Sequence, residues 1–218
     1  MENEALDVIL AKYYFFNPDE YGRIYVFIDF GNVRAWAKDL WKEENKFRIC
    51  VEVDIEKLAK VCNLVKPEKK RFYYGHFHKN EEPADNTKHF QSILRISKAR
   101  KSGFQVETKE IKMIPHYDDQ GVYLGKIPKC NFDVEIAMDM LLKVEKYDTV
   151  VLFSGDSDFV KLLSYIKNKG KKIIVVCTRK SMSKELDEVK DKFIPAESLK
   201  HLLRYENQKN TPPVRAEV

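Results

Sequence analysis

Val150–Phe159 reads VVLFSGDSDF. Apolar and aromatic residues run into Ser-Gly, and two aspartates, Asp156 and Asp158, flank a serine. A continuous apolar run bounded by a turn signal suits a strand buried on both faces of a parallel sheet. Gly155 permits a tight turn, Asp156 suits a helix cap, and FVKLLSYIKNKG has helical spacing with Gly170 as its stop. The stretch therefore reads strand, turn, helix. In open α/β sheets the C-terminal ends of strands carry the chemistry. The two carboxylates have two readings there: a cap with a second acid favouring the helix dipole, or part of a larger acidic site. Other carboxylates converging on the same place would separate the two.

Just upstream, KCNFDVEIAMDML (Lys129–Leu141) places Asp133 at a helix start, as a first-turn acid or a ligand. Asp139 lies on the same helix, and six residues turn it roughly 240° from Asp133, so the two do not share a face. Further upstream, RIYVFID (Arg23–Asp29) is a second buried strand, which ends in Asp29 before Phe30-Gly31-Asn32. If these two strands are neighbours about a switch in strand order, their C-terminal ends open one crevice. Asp29, Asp156 and Asp158 would meet in it. Several acids in one crevice repel one another unless a cation sits between them. An all-oxygen ligand set favours Mg²⁺ or Mn²⁺. Such ions polarise phosphoryl oxygens and activate water. With no histidine or cysteine beside these acids in sequence, phosphodiester hydrolysis fits better than acyl transfer. G-x-S-x-G, P-loop and H-E-x-x-H patterns are absent.

The rest of the chain alternates strands with helices, predicting a three-layer α/β/α fold with a mostly parallel sheet. Helices are expected over 4–16, 33–43, 54–64, 84–102, 133–145, 181–189 and 196–205. Strands are expected over 69–77, 104–114 and 171–177, with a short edge strand at Phe193-Ile194. Residues 46–53 read as strand or loop, and 115–127 as a loop or small hairpin. The organisation expected is a helical extension at 1–22, one domain over 23–204 and a polar, disordered tail at 205–218.

The 218 residues carry 39 basic and 34 acidic side chains, a net charge of +5 that permits a polyanionic partner without demanding one. Apolar runs are too short to span a bilayer. The acidic start, MENEALDVIL, lacks the features of a signal peptide. Four scattered cysteines suit reduced thiols, so a cytoplasmic protein is expected. Tyr73, Tyr74, His76, Phe77, His78 and Lys79 crowd the end of one strand. Tyr73 and Phe77 suit the core, and the others suit base stacking and phosphate contact. His76-x-His78 has a metal-binding spacing but no third ligand in sequence. Lys79 and Arg179 follow the C-terminal ends of core strands and are the nearest candidates for phosphate contacts. Ser154 and Ser157 are suited to donate to a phosphate.

Three motifs together are specific. D-x-x-N (Asp29, Asn32), K-x-x-x-D-V-x-x-A-x-D-M (Lys129–Met140) and S-G-D-S-D-F (Ser154–Phe159) resemble the LabA-like NYN domain family of the PIN-like nuclease superfamily, over about Arg23–Leu203. The resemblance implies a Rossmannoid sheet in the order 3-2-1-4-5. It implies a Mg²⁺- or Mn²⁺-dependent (endo)ribonuclease whose metal-binding acids are Asp29, Asp133, Asp156 and Asp158. Asn32 and Asp139 carry over as support to the site; read from the residues themselves, Ser154 and Ser157 would join them, and Lys79, Lys129 and Arg179 would hold single-stranded or looped RNA. The sequence departs from the family at Cys130-Asn131-Phe132, where a glycine-containing link is common. A homo-oligomer stays open. Two other functions compete: a catalytically silent RNA-binding scaffold on the same fold, and a haloacid-dehalogenase-type phosphatase. The phosphatase needs D-x-D after the first strand, and Gly31 stands where its second acid belongs.

Overall fold

The computed structural model describes residues 20–43, 51–79 and 86–205. Its strands are β1 (Ile24–Asp29), β2 (Lys69–Tyr73), β3 (Gln105–Glu107), β4 (Lys112–Tyr117), β5 (Tyr123–Lys129), β6 (Thr149–Phe153), β7 (Lys172–Cys177) and β8 (Lys192–Pro195). Its α-helices are α1 (Phe30–Ala35), α2 (Ala37–Leu40), α3 (Ile55–Asn63), α4 (Thr87–Lys101), α5 (Asp133–Leu142), α6 (Val160–Asn168), α7 (Lys184–Val189) and α8 (Lys200–Leu203). The helix expected over 4–16 and all but the first residue of the expected tail lie outside the described residues.

Six strands form one parallel sheet in the order β3-β2-β1-β6-β7-β8. Every residue of β1 and β6 is buried, as is all of β7 after Lys172. Successive side chains in a strand point to opposite faces, so burial at every position requires cover on both faces. The helices supply that cover, and the three-layer reading holds. Trp36, Trp41, Phe27, Phe72 and Phe153 are among the largest side chains in the core.

Three details correct the sequence reading. The sheet order differs from 3-2-1-4-5 by a sixth strand, β8, which pairs with β7 and buries Ile194 at the edge. The single strand expected over 104–114 is two elements: β3 stops at Glu107, and Lys112 begins β4 of a separate antiparallel hairpin with β5. Apolar alternation runs through both, so periodicity alone does not show where the chain leaves the sheet. The helix expected over 33–43 starts earlier, at Phe30, and breaks between Ala35 and Ala37 into α1 and α2.

The chain goes from β1 outward to β2 and β3, then returns to place β6 on β1's other side. The β1/β6 boundary is thus the switch point of the sheet, where a crevice opens beyond the carboxyl ends. Ile28 pairs with Phe153, so Asp29 and Ser154 leave the two strands at the same level. The hairpin is inserted between β3 and α5.

Candidate metal centre

Asp29 ends β1 and caps α1. One carboxylate oxygen accepts from the backbone N–H of Gly31 at 3.1 Å and Asn32 at 3.3 Å. The other accepts from the Asn32 side-chain amide at 2.6 Å. Asn32 thus fixes Asp29 from the next turn, as D-x-x-N spacing allows. Burial raises the Asp29 pKa, the Asn32 and Gly31 hydrogen bonds only partly offset this, and the Asp156 charge adds to it.

Beyond β6, Ser154 is fully buried and its hydroxyl accepts from the Asp156 N–H at 3.3 Å. Asp156 caps the 3-10 turn Ser157–Phe159, accepting from the Asp158 N–H at 3.0 Å. Both the cap and the ligand reading of this aspartate are therefore available at once, since one of its oxygens is left over. Ser157 is exposed on that turn. Gly155 is needed for room: an added Cβ would lie 2.3 Å from the Ser181 carbonyl oxygen, in the loop after β7.

Asp133 opens α5. Its N–H donates to the Asn131 side-chain oxygen at 2.8 Å, a local turn that sets the entry of the helix. Burial raises the Asp133 pKa, the Asn131 hydrogen bond opposes, and Asp156, Asp29 and Asp158 push it further up. The link Cys130-Asn131-Phe132 is accommodated by a glycine on the other side of the contact. At Gly75, just past β2, a Cβ would meet the Cys130 sulfur at 2.7 Å.

Asp133, Asp156 and Asp158 come together. One carboxylate oxygen from each lies within 4.8 Å of the others. Asp29 stands outside that group of three, although its charge acts on Asp133 and that of Asp156 acts on it. The four-acid set expected from sequence is therefore three converging acids with a buried fourth beside them. No lysine or arginine among the described residues forms an ion pair with any of the four. Three oxygen donors held close, unneutralised by a basic side chain, fit a hard divalent cation.

Asp139 belongs elsewhere. It accepts from the Tyr73 hydroxyl at 2.6 Å and pairs with Arg71 and Lys143. This corrects its expected place in support of the acidic group: it ties α5 to β2, on a different side of the helix from Asp133. Lys79, Lys129 and Arg179 are exposed. Lys129 ends β5 four positions before Asp133. Arg179 follows β7, with its N–H donating to Glu197 at 2.9 Å. His76 and His78 bond separately to Thr108 and Glu110, so the pair does not converge on an ion. Asn131, Gly75 and the Arg71–Tyr73–Asp139 group escaped the sequence reading. Only Asn131 had a local signal, an Asn two residues before a helix start.

The fold is an open, mainly parallel α/β sheet with three carboxylates gathered at its switch point. The chain belongs to the NYN domain family, whose profile matches residues 23–200. It is 33% identical over 101 residues to the low amplitude and bright protein LabA of Synechococcus elongatus, a match that spans 46% of this chain and 53% of that protein. The chain thus matches about half the length of that relative. A protein of unknown function from Vibrio parahaemolyticus, VPA0982, has a similar crystal structure, with a TM-score of 0.55, 22% identity, and coverage of 81% of this chain and 94% of that one. No helix among the described residues is long and apolar enough to cross a membrane.

Proposed function

We propose that this protein is a Mg²⁺- or Mn²⁺-dependent ribonuclease, with residues 23–204 as the nuclease unit. The observation that carries the reading is the approach of Asp133, Asp156 and Asp158 to within 4.8 Å without a basic partner. PIN-like nucleases usually use divalent metals, and this donor set suits one.

Asp133, Asp156 and Asp158 would hold the ion. When bound, it would supply charge to a phosphoryl oxygen and acidify a water. Asp29, held rigid by Asn32, presents a fixed negative charge beside the three. Its raised pKa makes it a stronger base than an ordinary aspartate, suited to take a proton from an attacking water. One of its oxygens accepts a single hydrogen bond, which leaves a lone pair for that proton. Gly31 stands where the phosphatase's second acid belongs, which weighs against that reading. Ser157 is exposed on the turn between two of the acids and is placed to donate to a phosphate. Lys79, Lys129 and Arg179 remain the proposed phosphate contacts, and a cytoplasmic location and RNA as the partner stay part of the same reading.

The test is a cleavage assay on labelled single-stranded, hairpin and duplex RNA and on single-stranded DNA, with Mg²⁺, Mn²⁺ or chelator. We expect metal-dependent cleavage of single-stranded or looped RNA and ends bearing linear phosphates, since water is the nucleophile. Products ending in 2′,3′-cyclic phosphate would place the attack on the ribose hydroxyl and overturn the mechanism. Binding without cleavage in either metal would favour the silent scaffold.

A further inference from the structure

The hairpin of β4 and β5 stands apart from the main sheet, and among the described residues its strands pair only with each other. A lone two-stranded hairpin is marginal in water. This one is also loaded against itself. Its strands, KMIPHY and YLGKIPK, carry three lysines and a histidine and no carboxylate; its two acids, Asp118 and Asp119, sit in the turn, where Asp118 accepts from the Gln120 and Val122 N–H groups. Lys112 lies directly opposite Lys129. Like charges in that position destabilise a strand pair. Lys109, three residues before the hairpin, does find a partner, bonding Glu135 at 2.5 Å. Lys112, Lys126 and Lys129 have none among the described residues. Near the tip, Tyr117 and Tyr123 pair edge to face with ring centroids 5.6 Å apart, and they are 55% and 53% exposed. At its base the hairpin runs through three residues into Asp133.

We propose that this hairpin is an arm that grips single-stranded RNA and delivers it to the acidic group. The inference rests on the ribonuclease reading. A polyanion relieves the Lys112–Lys129 repulsion, and exposed tyrosines give bases a stacking surface without sequence preference. A seven-residue strand reaches about 20 Å, enough for the arm to follow several nucleotides from its tip to its base beside Asp133. The alternative occupant is a second copy of this protein. It suits the charges poorly, because a two-fold interface sets a patch against itself and would face these lysines with lysines.

The test uses the full chain in chelator and a fluorescently labelled oligouridylate, with affinity measured by anisotropy against salt concentration. Replacing Lys112 and Lys129 together by alanine (K112A/K129A) should weaken binding about tenfold or more at low salt. It should also flatten the salt slope by about 1.4, at ~0.7 per lost phosphate contact. Y117A/Y123A should weaken binding and leave the slope unchanged. Without RNA, K112A/K129A should melt no lower than wild type, since a repulsion is removed. A lower melting temperature would make the lysines structural and overturn the proposal. Unchanged affinity and slope in both variants would overturn it too. So would dimers in sedimentation that Y117A/Y123A dissociates while RNA affinity holds. A parallel Mn²⁺ cleavage assay separates the two readings. Arm-dependent binding without cleavage supports the arm and sinks the nuclease; cleavage with arm-independent binding does the reverse.

Discussion

Asp133 and Asp139 share one helix and answer pH in opposite senses. Burial and three neighbouring acids raise Asp133 above 3.8, its value in the unfolded chain. Its ionised form therefore weakens the fold, with no effect below 3.8 and the full effect above the raised value. In metal-free protein, the stability gained by Asp133→Asn should grow as pH rises from about 3 to about 7. Thermal melts across that range check this; a gain that is constant or shrinks with pH contradicts it. Burial also pushes Asp139 upward, but hydrogen bonds from Lys143 and Tyr73 and the charges of Arg71 and Lys143 outweigh it, and its pKa is lowered. The stability it contributes is present above 3.8 and lost as pH falls through the lowered value. Asp139→Asn should cost about 1–3 kcal/mol at pH 7, the scale of leaving a buried polar group unsatisfied. That cost should fade in acid, and metal binding should survive. Loss of the metal-induced rise in melting temperature in Asp139→Asn would return this residue to the acidic group.

Among the elements, the turn after β6 depends on the loop after β7. Gly155 lies where a Cβ would collide with the Ser181 carbonyl, and its φ lies outside the left-handed region. Gly155→Ala must therefore move backbone, and we expect a loss of about 1–3 kcal/mol in denaturant unfolding, the scale of overpacking. A stability equal to wild type would show that the Ser181 loop yields freely. The sequence shows that a glycine belongs here as a turn signal. The reason it belongs, a carbonyl twenty-six positions later, is not local and could not be read. The same divide explains the other results. Strands β1, β6 and β7 are legible because burial on both faces leaves an unbroken apolar run. The start of β4 is not legible, because alternation continues while the chain leaves the sheet. Asp139 was separable from Asp133 by helix geometry alone. Its partners were not, since Arg71 and Tyr73 lie more than sixty residues away.

At the scale of the whole molecule, the switch in strand order brings acids from three separate segments to one place. Strand order is invisible to periodicity, so the residues alone offer this convergence as a condition, and the resemblance supplies the order that meets it. That reading gives all four acids equal standing, whereas the fold gathers three and sets Asp29 beside them, held by Gly31 and Asn32. A folded-state site of this kind should be stabilised by its ion. Saturating Mn²⁺ should raise the melting temperature of wild type and not of Asp156→Asn.

The central claim is that this gathered group acts as a metal-dependent nuclease. Its most direct test is the initial rate of cleavage of a labelled single-stranded RNA as Mn²⁺ is titrated from zero, for wild type and Asp156→Asn purified in parallel. The account predicts a saturable rise in wild type, none in chelator, and at least about a hundredfold lower rate in the variant, the scale of losing one electrostatic catalytic group. Equal rates in the two proteins, or no cleavage by wild type at any Mn²⁺ concentration, would contradict it.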